Sequence, residues 1–220
     1  MQPLRIAQTA DGSHTLFSEK YNAYYHSTNG AIQESYHVFI KSGFNAVDLV
    51  EIRILEIGFG TGLNAALTAS QAKILKHRTN YTGIDLYPPD NELLMQLNYK
   101  SVLNQDASDF WEKIISLDWG IESSVNDFFI LRKFNADITN IELTGNYDLI
   151  YFDAFAPNDQ PEMWSSLIFK KLYQATNSNG ILVTYCSKGI VKQALRDAGY
   201  TVERLPGPPG KRHILKATKR

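Results

Sequence analysis

Ile52-Arg53-Ile54-Leu55-Glu56-Ile57-Gly58-Phe59-Gly60-Thr61-Gly62-Leu63-Asn64-Ala65-Ala66-Leu67 decides the fold of this chain. Its first six residues read as a buried strand and its last as the start of a helix, with glycines at 58, 60 and 62 between them. Glycine tolerates positive φ and lets a ligand approach the main chain closely. The following helix offers unpaired N–H groups and a positive dipole end. A strand, a glycine turn and a helix therefore form a nucleotide site from backbone alone.

Outward from this turn, strands and helices alternate. Tyr81–Leu86 reads as a second strand, followed by helical stretches over about 90–100 and 106–116. Phe128–Leu131 is a third strand and Tyr147–Asp153 a fourth; residues 163–176 have a helical pattern. Gly180–Cys186 is a fifth strand, and a helix over 188–198 stops at Gly199. Tyr200–Leu205 and His213–Ala217 are late strands flanking Pro206-Gly207-Pro208-Pro209-Gly210, antiparallel to each other if they pair. Near-continuous apolar strands separated by helices predict an α/β fold: a Rossmann-like, doubly wound, mostly parallel sheet with closing antiparallel strands. Residues 1–50 read differently. Thr15–Ser18 suggests a hairpin, and Ile32, Tyr36, Phe39 and Ile40 have helical spacing. The expected organisation is a small appendage over 1–50 and one domain over 51–220.

Bulk composition narrows the classes. The length suits one α/β domain, and 44% apolar with 20% charged residues is ordinary for a globular protein. No apolar run approaches a membrane span, and Met1–Ile6 lacks the basic and apolar regions of a leader. The single Cys186 fits a reducing compartment, so the cytoplasm is expected. Net charge is −1, which is not the field of a general nucleic-acid binder. The charge is uneven, however: Arg204, Lys211, Arg212, Lys216, Lys219 and Arg220 stand against Glu203 alone in the final stretch. That segment is either a phosphate dock or a solvated tail.

Acids mark four strand ends: Glu56, Asp85, Asp137 and Asp153. In a doubly wound sheet, ligands bind beyond these ends. Asp85 suits two ribose hydroxyls and Asp137 suits the amine of adenine, although an acid there also serves as a helix cap. The glycine spacing departs from G-x-G-x-x-G, and no phosphate loop of the G-x-x-x-x-G-K-[ST] type is present. Glu56 beside the turn would repel phosphate and welcome an ammonium. These features favour S-adenosylmethionine over NAD, FAD, ATP or GTP, with Glu56, Gly58, Gly60, Gly62, Asn64, Asp85 and Asp137 as cofactor residues. A nicotinamide-dependent oxidoreductase is the competing class. The histidines show no paired metal spacing, so no metal is expected.

The motif Glu56–Asn64 resembles that of class I S-adenosylmethionine-dependent methyltransferases. Its wording Gly-Phe-Gly-Thr-Gly-Leu-Asn, with Tyr151-Phe152-Asp153-Ala154-Phe155-Ala156-Pro157-Asn158-Asp159-Gln160-Pro161-Glu162-Met163-Trp164, resembles the MnmC-type tRNA methyltransferase domain. Weaker similarity lies in Tyr25-His26-Ser27, in Gly30–Phe39, in Ser187–Val191 with Leu195–Tyr200, and in Gly210–Leu215. Residues 101–127 carry no matching wording. The resemblance implies methylation of the aminomethyl nitrogen of 5-aminomethyl-(2-thio)uridine at the tRNA wobble position, releasing S-adenosylhomocysteine. Many family members carry a fused flavin-dependent oxidase; no second glycine motif follows here, and the stand-alone form is expected.

Asp153 is the candidate base or amine-orienting group, since an attacking amine must be neutral. Tyr25, Phe155, Pro157 and Trp164 are candidates to shape the pocket for a base turned out of its stack. Glu34 is placed either facing the amine or on the surface. Lys188, Lys211 and Arg212 are candidate phosphate contacts. Cys186 invites a covalent role that amine methylation does not need. The alternatives are a small-molecule amine or carboxylate methyltransferase and a non-catalytic cofactor-binding module.

Overall fold

The computed structural model describes residues 3–220; Met1 and Gln2, which open the stretch read for a leader, lie outside the described residues. The N-terminal part forms an antiparallel three-stranded sheet of β1 (Leu4–Gln8), β2 (His14–Ser18) and β3 (Ala23–Tyr24). Helix α1 (Ala31–Ser35) follows and continues as a π-helical turn over Tyr36–Lys41, burying Val38, Phe39 and Ile40. These side chains share one core with Ile52, Ile54, Leu63 and Tyr151, so the appendage is packed into the main body.

The main sheet has eight strands in the order β10-β11-β9-β8-β4-β5-β7-β6. Its parallel centre is β9 (Thr176–Thr184), β8 (Tyr147–Phe152), β4 (Glu51–Ile57), β5 (Arg78–Asp85) and β7 (Phe129–Asn135). Strand order grows from β4 towards β7 on one side and from β8 towards β11 on the other. The topological switch therefore lies between β4 and β8, and a ligand crevice forms beyond their carboxyl ends. Helices α2 (Leu63–Leu75) and α5 (Gln105–Ser116) cover one face. Helices α6 (Ser166–Ala175) and α7 (Gly189–Asp197) cover the other. The late strands β10 (Thr201–Pro206) and β11 (His213–Thr218) pair antiparallel as expected, and β11 closes antiparallel onto β9.

Three local expectations are corrected. The helix over 90–100 is two short ones, α3 (Asn91–Leu94), capped by Asp90, and α4 (Tyr99–Val102). The third strand is not confined to 128–131 but runs to Asn135, paired in register with β5. An unforeseen strand, β6 (Glu122–Asn126), lies antiparallel at the edge. Of its residues only Val125 is buried, so its sequence carries little apolar signal.

Candidate active site

The glycine turn is fixed by sheet and loop together. Gly58 and Phe59 both donate backbone N–H to the Ile84 carbonyl, at 3.0 and 3.2 Å. Gly58 sits at φ 86°, and an added Cβ would overlap the carbonyl oxygen of Asp153. The β4 turn and the β8 loop thus touch through backbone, which only glycine permits. Gly60 donates its N–H to Asp85 Oδ2 at 2.8 Å, and Tyr87 donates to Asp85 Oδ1 at 2.9 Å. Burial pushes the Asp85 carboxyl above its usual range, with these two donors pulling the other way.

Two connected cavities open at this switch point. The larger, a cleft of about 680 Å³, runs from Gly58 and Gly60 past Asp85 and Tyr87 to Asp137 and Ile138, with Asp153, Phe155 and Met163 opposite. Asp137 is half-buried at its rim and accepts the Thr139 N–H at 2.8 Å in a local turn; no helix begins there. The smaller, a chamber of about 240 Å³, lies between the glycine turn and the N-terminal segment. It is lined by Tyr25, His26, Thr61, Asn64 and Asp153 among others. Asp153, Tyr25, Gly58 and Gly60 line both.

Asp153 follows the last residue of β8 and is braced by Asn64, whose amide donates to Asp153 Oδ2 at 2.9 Å and to Glu56 Oε1 at 2.8 Å. One amide thus spans two carboxyl groups. The Asp153 carboxyl is pushed up to about 7, chiefly by burial and then by the Glu34 charge, against Asn64 and Lys211. Burial likewise drives Glu56 well above the usual carboxylate range. Glu56 is fully buried behind Asn64 and lines neither cavity. The charge that the sequence placed beside the ligand is therefore shielded, its ionised form disfavoured by burial, and Asn64 stands in front of it. Asn64 Oδ1 is buried without a hydrogen-bond partner.

Other predicted residues separate clearly. Glu34 is buried, accepting the Ser27 N–H and forming an ion pair with Lys211, so its surface placement is ruled out. Lys211 is turned inward, its ammonium 4.0 Å from the centre of the Tyr185 ring. It is not a free phosphate contact. Lys188 and Arg212 are exposed, with Lys188 donating to Asn158 Oδ1 at 2.9 Å. Tyr25 and Phe155 meet edge to face at 5.0 Å, and Tyr21 stacks on Phe155 at 4.6 Å. Trp164 is buried against Phe152 and Phe169 and donates its indole N–H to the Phe155 carbonyl at 2.7 Å. It braces the loop and offers no face to a ligand. Pro157 is buried, and Cys186 is buried with its thiol pushed up by that burial, which disfavours a thiolate role.

His26, Thr15 and Tyr185 join the site without having been singled out. Thr15 Oγ1 accepts the His26 backbone N–H at 3.1 Å and lies 3.2 Å from His26 Nδ1. If the Thr15 hydroxyl donates to Nδ1, the neutral ring carries its proton on Nε2. Burial, with the Lys211 charge, pulls His26 down to about 4, so the ring is neutral. A lone histidine beside a turn carries no spacing signal, and its partner Thr15 lies on another strand. Tyr185 donates its hydroxyl to the Ala154 carbonyl at 2.9 Å.

A family model described as S-adenosyl-L-methionine-dependent methyltransferase matches residues 119–220. Along 97% of its length the chain is 29% identical to the tRNA 5-methylaminomethyl-2-thiouridine biosynthesis bifunctional protein MnmC of Burkholderia multivorans. It is 28% identical over 92% of its length to the protein of the same name from Campylobacter fetus. It spans 34% of each of these relatives. The crystal structure of MNMC2 from Aquifex aeolicus superposes with a TM-score of 0.82 at 24% identity, covering the whole of this chain and 71% of that one. Spermidine synthase from Thermotoga maritima shares the fold more distantly, with a TM-score of 0.52 at 13% identity. The resemblance to the MnmC-type methyltransferase domain and the class I methyltransferase fold are thus borne out. Among the described residues no helix is long and apolar enough to cross a membrane, and no group of His, Cys, Asp or Glu is arranged to hold a metal ion.

Proposed function

We propose that this chain transfers a methyl group from S-adenosylmethionine to the aminomethyl nitrogen of 5-aminomethyl-(2-thio)uridine at the tRNA wobble position, in the cytoplasm. The observation that carries this is Asp153: a carboxyl near neutrality, held at the junction of two cavities, in the loop whose wording matches the MnmC type.

The two cavities fit the cofactor's two ends. Asp85 keeps free lone pairs for ribose hydroxyls, because each carboxylate oxygen accepts more than one hydrogen bond. Asp137 is placed for an exocyclic amine at the far end of the cleft. The chamber suits an amino-acid zwitterion. His26 Nε2–H and the start of α2 are donors for a carboxylate, while Asn64 Oδ1 and Asp153 are acceptors for an ammonium. When bound, S-adenosylmethionine supplies a methyl on a sulfonium, open to in-line attack. The chain's own residues then position the amine and manage one proton. Asp153 accepts the proton that an alkylammonium must lose, and a carboxyl poised near 7 is matched to that transfer. The Tyr21, Tyr25 and Phe155 cluster offers ring surface for an unstacked base. Lys188 and Arg212 face outward where phosphates pass.

The test is incubation of the purified chain with methyl-labelled S-adenosylmethionine and two tRNA pools, one bearing wobble 5-aminomethyl-uridine and one lacking it. Label in 5-methylaminomethyl-uridine from the first pool alone is expected. Label in small amines but in neither tRNA pool would overturn the reading.

A further inference from the structure

We propose that the outward face of α7 and the adjoining edge strand β10 form the track for the phosphate backbone of the RNA substrate. The inference rests on the tRNA reading above and gives it a surface. Lys188, Lys192 and Arg196 are spaced by four, so they align on one helix face. At about 1.5 Å per residue this row is about 12 Å long. On β10, Val202 packs into the core that α7 covers, so Arg204, two residues on, faces the same side. Arg196 and Arg204 are exposed. They crowd Lys192, whose ammonium is held below its usual value first by the Arg196 charge, then by desolvation and by the Arg204 charge.

Among the described residues, none of these four cations is in an ion pair with a carboxylate. Nearby acids are otherwise engaged. Asp197 accepts from Gln193 at 2.8 Å, and Glu203 pairs with Lys216 on the opposite side of β10. Three of the four cations are exposed and Lys192 is half-buried; their mutual repulsion does not support the fold, and a polyanion relieves it. The row also leads to the chemistry, because Lys188 at its head bonds Asn158, five residues beyond Asp153 in the same loop. With Lys211 withdrawn into its ion pair with Glu34, Arg212 is the cation of the Pro206–Arg212 loop that stays in solvent, and α7 supplies the longer row of cations. A phosphodiester chain entering along α7 would deliver its base at the Phe155 wall.

The experiment measures tRNA binding to the full chain across a salt series, for the wild type and for the triple variant Lys192→Gln, Arg196→Gln, Arg204→Gln. Each lost phosphate contact removes about 0.7–0.9 from the slope of log affinity against log salt, so the triple variant should lose about 2. Its affinity at moderate salt should fall at least tenfold, while its thermal shift with S-adenosylhomocysteine stays that of the wild type. The variant Arg78→Gln, at the opposite end of the strands, should change neither slope nor affinity by a comparable amount. A triple variant that binds and is methylation-competent with an unchanged slope overturns the track and leaves the tRNA reading standing. A wild type that binds no tRNA even at low salt overturns both.

Discussion

Replacing Asp153 with Asn removes a charge and keeps the shape and the Asn64 hydrogen bond. In the folded protein the Asp153 carboxyl titrates at about 7, against an ordinary value of 3.8. The folded state therefore binds the proton more tightly than the unfolded chain. The sign follows: stability is greatest below the unfolded value and falls as pH rises towards 7. At about 1.4 kcal/mol per unit, ionised Asp153 costs the fold on the order of 4 kcal/mol at pH 8, or about 2–4 after allowing for its partial solvent access. Asp153→Asn should thus be more stable than the wild type at pH 8, by about 5–15 °C in Tm for a chain of this size. At pH 5, still above the unfolded value, the gap should shrink to roughly 40% of its size at pH 8, and it should vanish only below about pH 4. Thermal melts of both proteins at pH 5, 6.5 and 8 test this without any substrate. A pH-independent gap would falsify the placement of this titration. Turnover should fall by a factor of about 10² to 10⁴ in the same variant. Wild-type kcat/KM should rise about tenfold per pH unit below neutrality and level off above it.

Glu56→Gln should shift Tm by no more than a few degrees, because burial favours the neutral carboxyl whose shape and hydrogen bond Gln keeps; equal damage from Glu56→Gln and Glu56→Ala would show that the charged form matters. Gly58→Ala meets the Asp153 backbone at a positive φ and should cost about 2 kcal/mol or more, with at least tenfold weaker cofactor binding; a melt and titration like those of the wild type would contradict the backbone contact. His26→Ala should weaken S-adenosylhomocysteine about 10–100-fold, the worth of a hydrogen bond to a charged group, and leave 5′-methylthioadenosine, which lacks the amino-acid end, within about twofold. Equal loss for both ligands in calorimetry would place His26 outside the amino-acid subsite.

The strand order around the glycine turn was legible because parallel strands buried on both faces must be nearly continuously apolar, as Leu149–Phe152 is and as Ile52–Ile57 is apart from Arg53 and Glu56. The β6 edge was not, since Glu122-Ser123-Ser124-Val125-Asn126 buries a single side chain. Asp85, Asp137 and Asp153, placed by position alone at or just beyond the ends of their strands, do line one cleft. Residue identity could not say which way a side chain turns. Lys211 and Arg212 are neighbours of equal charge in the sequence, yet one is drawn under Tyr185 to Glu34 and the other stays in water. Trp164 has the composition of a stacking surface and the location of a core residue. His26 meets Thr15, a partner eleven residues away on β2, which no local spacing announces.

The acids of this site are also not equivalent, and their environments divide the labour. Glu56, Asp85 and Asp153 are all raised by burial, but only Asp153 combines a value near neutrality with a wall in both cavities. Asp85 receives two backbone N–H donors, and in the proposed function its remaining lone pairs serve ribose hydroxyls. Glu56 is sealed behind Asn64 and serves to fix that amide. Asn64 is then the hinge of the electrostatics. Its two N–H bonds bridge the pair of carboxyls, and its unpartnered Oδ1 is, in the proposed function, the acceptor for a ligand cation. A methyl donor with an ammonium at one end and an acceptor that must shed a proton at the other needs both features within one side chain's reach. The glycine turn brings them together by letting the β8 loop lie directly against the turn after β4.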